Sequence, residues 1–334
     1  MEQALYHPEH GYYSSGRCAI GRKGDYFTNV SVGPLFGQLM LEQFAEIWER
    51  LHKISNFVIL EQGAHDGRFA RDVLEASQER TPEFFEALQY QIVEPFPILR
   101  ERQLQMLEPF RKKVEWRGSL EPFTGIHFSN ELLDAMPVRL VSCDTEKLVD
   151  VQGDKFVFIE RPLSTTAFNQ AALDWVDSVA ANLQRGYVIA IDYGHGGDQP
   201  QGTVQVRARH RHLDSPFEEI GHADITMQVD WTNIARRAES NGLRVAGFAD
   251  QHHFLTGIAS SWPELLQMDS ADSTASDSRV STGEDRKTKR ALQTLLHPEM
   301  LGRAFQVLAL AKNVDPGASR LAGFKFARGP DFAL

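Results

Sequence analysis

Cysteine is nearly absent. The 334 residues contain two, Cys18 and Cys143, far apart in sequence and without Cys-x-x-Cys or zinc-ligand spacing, so neither a dithiol redox motif nor a zinc finger is encoded. Reduced thiols in a cytoplasmic protein are the expectation. An excess of positive charge is also missing: 35 Lys and Arg face 45 Asp and Glu, a formal net charge of −10. That balance argues against a general nucleic-acid binder, because neutralising phosphates requires clustered cations. No apolar run approaches the ~18 residues of a membrane span. The amino terminus, Met-Glu-Gln-Ala-Leu-Tyr-His-Pro, carries neither a basic apolar secretory segment nor an Arg-rich transit peptide, so a cytoplasmic location without membrane anchorage is expected. Internal repeats are absent as well. So is a full Gly-x-Gly-x-x-Gly fingerprint: Gly63 and Gly67 are four apart with no glycine between, which disfavours a nicotinamide-dependent oxidoreductase.

What remains, 42% hydrophobic and 24% charged residues, describes an ordinary globular chain with ample sequence for a large core. Its organising stretch is Phe57 to Phe69. Four apolar residues run into Glu61, and Gly63 follows, as when a buried parallel strand ends in a tight turn that lets backbone approach a ligand. A helix then begins near Gly67 and covers Arg68 to Gln78. Tyr90 to Val93 reads as a second buried strand ending in Glu94-Pro95. In a nucleotide-binding α/β unit an acid at that place holds a ribose diol, since a carboxylate accepts from two vicinal hydroxyls. The alternative is a surface carboxylate before proline. Ile126 to Phe128 is a further strand that runs into Asn130, Glu131 and Asp134. These polar groups either face a ligand or form a helix amino terminus capped by Ser129 or Asn130. Tyr187 to Ile191 ends in the same way, in Asp192-Tyr193-Gly194.

Between these strands, residues 1 to 34 read as an ordered loop region in which Arg22 and Lys23 form a solvated turn or a substrate contact. Apolar residues from Leu35 to Leu51 recur at helical spacing, Ile98 to Leu107 is an amphipathic helix, and Lys113 to Trp116 is a short strand. Val138 to Val157 reads as an inserted hairpin around Gly153-Asp154, and Asn169 to Leu183 as a helix. The tract Arg207, Arg209, His210, Arg211, His212 is an exposed strand or loop, or meets an acidic partner; two alternating histidines without a third ligand assign no metal. Asp230 is a plausible cap for a helix from Thr232. Leu243 to Phe248 and Ala304 to Ala311 supply the last strands of a mainly parallel sheet, and the polar segment from Asp269 to Lys289 reads as a mobile loop.

The ordered set Ala4-Leu-Tyr-His-Pro-Glu-His-Gly-Tyr-Tyr, Gly24-Asp25, Pro34-Leu-Phe-Gly, Glu61-x-Gly63, Val93-Glu94-Pro95, Asn130-Glu131 with Asp134-Ala-Met-Pro, Asp192-Tyr-Gly, Asp224-Ile-Thr and Gln251-x-x-Phe254-Leu resembles the MidA-like family of the mitochondrial complex I assembly factor that methylates a protein arginine. The resemblance implies an α/β class I methyltransferase (Rossmann-like) fold: a mainly parallel seven-stranded sheet with an N-terminal extension over 1–55, inserted β and loop segments near 138–168 and 195–230, and a C-terminal tail over 315–334. It implies S-adenosyl-L-methionine as cofactor, with Glu61, Gly63, Gly67, Glu94, Ser119, Leu120 and Asn130 on the cofactor side. Asn130, Glu131 and Asp134 would be catalytic, and Asp25, Thr28, Asp192 and Tyr193 would face the substrate. The implied partner is a protein substrate, with a quinone oxidoreductase subunit of the complex I type as natural candidate; a homodimer is a further expectation. Three positions depart from the family pattern. His65 replaces the middle glycine of the first turn, Ser31 replaces an acid after Thr28, and Gly202 replaces an acid in a later loop. The competing reading is a non-catalytic assembly or binding protein on the same fold, its cofactor turn altered by His65.

Overall fold

A computed structural model of the chain describes residues 1–18, 21, 28–142, 144–163, 168–196, 204–262, 265, 283–315 and 319–327. Asp25, Arg22, Lys23, Cys143 and Gly202 lie outside the described residues, as does 269–282 of the polar segment.

The central sheet is built on apolar runs short enough for strands and flanked by turn formers: β1 (Phe57–Gln62), β2 (Leu88–Val93), β3 (Val114–Arg117), β4 (Phe123–Asn130), β5 (Leu183–His195), β6 (Arg244–Asp250) and β7 (Phe305–Lys312). Their order across the sheet is β3-β2-β1-β4-β5-β7-β6, and the two-residue strand Val229–Asp230 pairs with the end of β5. β1 runs parallel to β2 and β4, and β4 parallel to β5; only β7 is reversed, antiparallel to both β5 and β6. The chain therefore winds outward from β1 to β3, returns, and winds the other way from β4. The switch point falls between β1 and β4, and the crevice beyond the carboxyl ends of these strands is the place this topology reserves for a ligand.

The α-helices among the described residues are α1 (Glu2–Tyr6), α2 (Leu35–Arg50), α3 (Arg68–Arg80), α4 (Pro82–Ala87), α5 (Pro97–Met106), α6 (Gln170–Asn182), α7 (Trp231–Ser240), α8 (Gln251–Ala259) and α9 (Gly283–Leu296). Their starts have identifiable causes. Proline occupies the first turn of α4 and α5, and the Asp230 and Asp250 carboxylates accept the third backbone N–H of α7 and α8 at 3.0 and 2.8 Å. Phe36, Phe44 and Phe69 from α2 and α3 pack on one face of the sheet with Ile59 and Phe128, whereas Trp175 and Ile234 from α6 and α7 cover the other face at Leu60 and Val188. Burial on both faces explains why these strands read as continuous apolar runs.

The expected inserted hairpin is present as Thr145–Gln152 paired antiparallel with Lys155–Pro162, and a second antiparallel sheet joins Gln205–Ala208, Arg211–His212 and Asp224–Thr226. Three expectations are corrected. No helix follows Asn130. The supposed mobile loop becomes α9 from Gly283 onward, because Leu292 and Leu295 are buried on one of its faces while its first turn carries Glu284 and Asp285. The C-terminal stretch is more than a tail: Phe324 is fully buried, with its ring centroid 5.1 Å from that of Phe254 in α8. Gly247 in β6 allows that contact, since a Cβ there would lie 2.3 Å from the Phe324 ring. Phe324→Ala is expected to cost about 3–5 kcal/mol of stability, read from the urea midpoint, because the cavity left is closed in by β6, α2 and α8.

Candidate active site

A cavity of about 360 Å3 opens beyond the carboxyl ends of β1, β2 and β4. Its lining brings together Glu61, Gly63, Glu94, Asn130 and Glu131 from the strand ends with Thr28. Tyr6 and Tyr13 complete the wall from the N-terminal segment. Neither tyrosine was among the expected site residues; their signal was the aromatic tract Leu-Tyr-His-Pro and His-Gly-Tyr-Tyr, which has no helical or strand period. Tyr6 is fixed by donating to the Ala135 carbonyl at 2.9 Å and by stacking on Phe96 and Tyr13.

Glu61 is buried at the end of β1 and accepts the Tyr90 hydroxyl at 2.7 Å. Burial raises its pKa to about 8, against the opposing effect of the Tyr90 hydrogen bond. Gly63 lines the cavity and takes φ +83°, a left-handed conformation that favours glycine. His65 adopts φ +47°. That left-handed conformation, which glycine adopts freely, is reached here by a side chain at a strain of roughly 1–2 kcal/mol. The ring lines the cavity and is held toward the N-terminal segment, with Nε2 3.4 Å from the Cys18 carbonyl oxygen and Nδ1 3.8 Å from Asp66. Burial opposes its charge, but hydrogen bonds to Asp66 and Cys18 outweigh burial and raise its pKa.

Glu94 receives the Phe96 N–H on Oε1 at 3.0 Å and the Gln103 amide on Oε2 at 2.9 Å. Each carboxylate oxygen keeps a second lone pair for a ligand hydroxyl. Burial raises the Glu94 pKa, partly offset by these donors and by His65. Gln103 went unnoticed in the sequence, although it is a fully buried amide between Leu99 and Leu107 on one stripe of α5. It also donates to the His65 carbonyl at 3.0 Å and accepts from Trp116 at 3.0 Å, thereby tying the β1 turn to Glu94.

Beyond β4, Glu131 turns the chain with φ +54°, and Asn130 Nδ2 donates to its Oε1 at 2.8 Å. Burial, with a smaller contribution from Asp192, raises the Glu131 pKa to about 8. The helix-cap reading of this stretch is replaced by a different device. Asp192 Oδ2 accepts the backbone N–H groups of Leu132, Leu133 and Asp134 at 3.1, 2.8 and 3.2 Å, while Oδ1 takes that of Tyr193 at 2.8 Å. With its lone pairs so engaged, Asp192 builds the loop that carries Glu131 and does not line the cavity. Asp134 and Tyr193 instead face a second recess of about 110 Å3, lined also by Tyr13, Glu131, Arg207 and Asp224. Asp224, which accepts the Tyr13 hydroxyl at 2.6 Å, completes an acidic wall. Burial and then the neighbouring Asp192, Asp224 and Glu131 charges push the Asp134 carboxyl up.

Three expected cofactor residues are not in the lining. Gly67 caps α3 at φ +82° and packs against Leu107 and Gln103, where a Cβ would lie 3.2 Å from Leu107 Cδ1. Ser119 and Leu120 follow β3, the edge strand two positions from β1. Ser31, at the position of the family's usual acid, closes the turn itself: its hydroxyl accepts the Thr28 N–H at 2.9 Å and donates to the Thr28 carbonyl at 2.7 Å.

A seven-stranded sheet with one reversed strand, and an acid-rimmed cavity at its switch point, define a class I methyltransferase. The chain belongs to the MidA-like family of S-adenosyl-L-methionine-dependent methyltransferases, whose profile matches residues 39–249. It is 28% identical to the mitochondrial protein arginine methyltransferase NDUFAF7 homolog of Drosophila melanogaster over 76% of this chain and 69% of that one. With the Bos taurus protein arginine methyltransferase NDUFAF7, also mitochondrial, it shares 24% identity over 97% and 85%. A Burkholderia thailandensis protein solved bound to S-adenosyl-homocysteine superposes with a TM-score of 0.84 at 29% identity, covering 98% of this chain and 89% of that one. The protein is thus an S-adenosylmethionine-dependent methyltransferase, and the cavity fits that cofactor: Glu94 offers acceptors for a diol, and Glu61 and Glu131 offer negative charge to a sulfonium. The expected cytoplasmic location is corrected, because these curated relatives are mitochondrial. Targeting segments are separable from the folded domain, so the domain's composition carries no compartment signal.

Proposed function

We propose that the protein transfers the methyl group to a guanidinium nitrogen of a protein arginine. The observation that carries this reading is the position of Glu131, which lines both the cofactor cavity and the acidic recess beside it. In this reading Glu94 holds the ribose hydroxyls, and Asp134 and Asp224 draw the guanidinium into the recess. Glu131, with Oε1 occupied by Asn130, accepts a substrate N–H on its other oxygen and fixes the attacking nitrogen. A guanidinium stays charged at any working pH, its pKa lying above about 12, and carboxylates bind it through directional, charge-assisted bonds. The bound cofactor supplies an activated methyl on a sulfonium that is already a good leaving group. The protein's part is alignment and exclusion of water. The relatives named as protein arginine methyltransferases support the choice of acceptor, and a quinone oxidoreductase subunit of the complex I type is the substrate class to test first. Incubation of mitochondrial respiratory proteins with this enzyme and methyl-labelled cofactor should place label on arginine. Label confined to other residues, or none, would count against the reading.

The raised carboxyl groups give a pH signature. Glu61 and Glu131 have pKa values of about 8, so at pH 7 both are largely protonated in the free protein, and a bound sulfonium favours their ionised forms. Binding then releases protons. S-Adenosylmethionine affinity should rise with pH from 6.5 to 8.5, by at most about tenfold per unit for each proton released, while that of the uncharged thioether S-adenosylhomocysteine changes less. Calorimetry in buffers of different ionisation enthalpy reads both effects.

A further inference from the structure

Behind Asn130 runs a line of buried amides that cofactor and substrate do not reach. Gln251, the first residue of α8, donates from Nε2 to the Leu295 carbonyl at 3.2 Å and to Asn29 Oδ1 at 2.9 Å. Asn29 Nδ2 donates to Asn130 Oδ1 at 3.0 Å, and Asn130 Nδ2 to Glu131 Oε1 at 2.8 Å. Gln251 and Asn29 are fully buried. The direction of the chain is set at its far end. A backbone carbonyl can only accept, so Gln251 must turn its NH2 toward Leu295, and each amide in turn must present its oxygen behind and its NH2 ahead. Turning the line around would set the Gln251 oxygen against the Leu295 oxygen and the Asn130 oxygen against Glu131.

We infer that Gln251 and Asn29 are positioning residues whose one-way chain of amide hydrogen bonds, anchored on the Leu295 carbonyl, delivers a donor to Glu131, orients that side chain and favours its carboxylate form. The Asn29 backbone also favours the charged form of Glu131. The other groups facing Glu131 oppose ionisation or are neutral: Asp192 from β5, Asp134 from its own loop, Asp224 from the inserted sheet, and Tyr13 and Tyr193; Arg207 lines the same recess. The Asn130 amide at the head of the line is the largest of the hydrogen-bonding influences that favour the charged form. Among the described residues Gln251 Oε1 is buried without a partner, which fits a side chain retained for its donor and not for its acceptor.

The inference rests on the proposed role of Glu131, and the test separates the two. In the wild type, the pH midpoint at which S-adenosylmethionine affinity rises contains a Glu131 contribution, which Glu131→Gln should remove. Gln251→Met keeps the volume and deletes the donor; Gln251→Glu puts an acceptor opposite Leu295 and Asn29. Both should move the midpoint up by about one pH unit, with S-adenosylhomocysteine affinity within about twofold at the same pH, and neither should shift it further in a Glu131→Gln background. If Gln251→Glu does not melt cooperatively, Gln251→Met decides alone. An unchanged midpoint in Gln251→Met, with Glu131→Gln effective, overturns the amide line only. A midpoint insensitive to Glu131→Gln overturns the role of Glu131 and the inference with it.

Discussion

Glu131→Gln is expected to slow methyl transfer by roughly a hundred- to a thousandfold while leaving S-adenosylhomocysteine affinity within about threefold. The substitution keeps the shape and the acceptor that Asn130 uses, so the loop built on Asp192 stays in place. What disappears is the negative charge on the wall shared by the two recesses, and with it a charge-assisted bond that places the attacking nitrogen. Interactions that strengthen only as the reacting atoms align appear in kcat and not in cofactor binding. A loss confined to KM would instead mark Glu131 as a plain substrate contact.

Glu94→Ala should weaken S-adenosylhomocysteine binding by about 30- to 100-fold, equivalent to one or two hydrogen bonds to a charged acceptor. Glu94→Gln, which can still accept one hydroxyl and still meets the Phe96 N–H, should lose about tenfold. Calorimetry measures both. The turn around His65 should survive either change, because Gln103 also holds the His65 carbonyl. Equal affinity in all three proteins would move the ribose away from β2.

Much of the sheet is readable because burial on both faces leaves uninterrupted apolar runs, and the acids that end them mark the crevice in the sequence itself. What could not be read was which acid does what. Asp192 looks like Glu61 in sequence, yet it sits on β5, one strand beyond the switch point, and its oxygens are taken by four backbone N–H groups. Asn130 and Glu131 looked like a helix start because polar residues after a strand usually cap one; only the contact with Asp192, some sixty residues away, shows a loop. Tyr6, Tyr13, Asn29, Gln103 and Gln251 escaped because their partners lie on other elements. His65 departs from the family pattern in residue type. Its left-handed φ is kept, and its ring is held by Cys18 and Asp66, so a histidine does there what glycine does more cheaply.

The most direct test of the site is a crystal structure of the protein with S-adenosylhomocysteine. The ribose hydroxyls should lie within about 3.2 Å of the Glu94 carboxylate, and the sulfur should point toward Asn130 and Glu131 at the mouth of the acidic recess. A nucleoside bound away from Glu94, or a sulfur directed away from Glu131, would contradict the account.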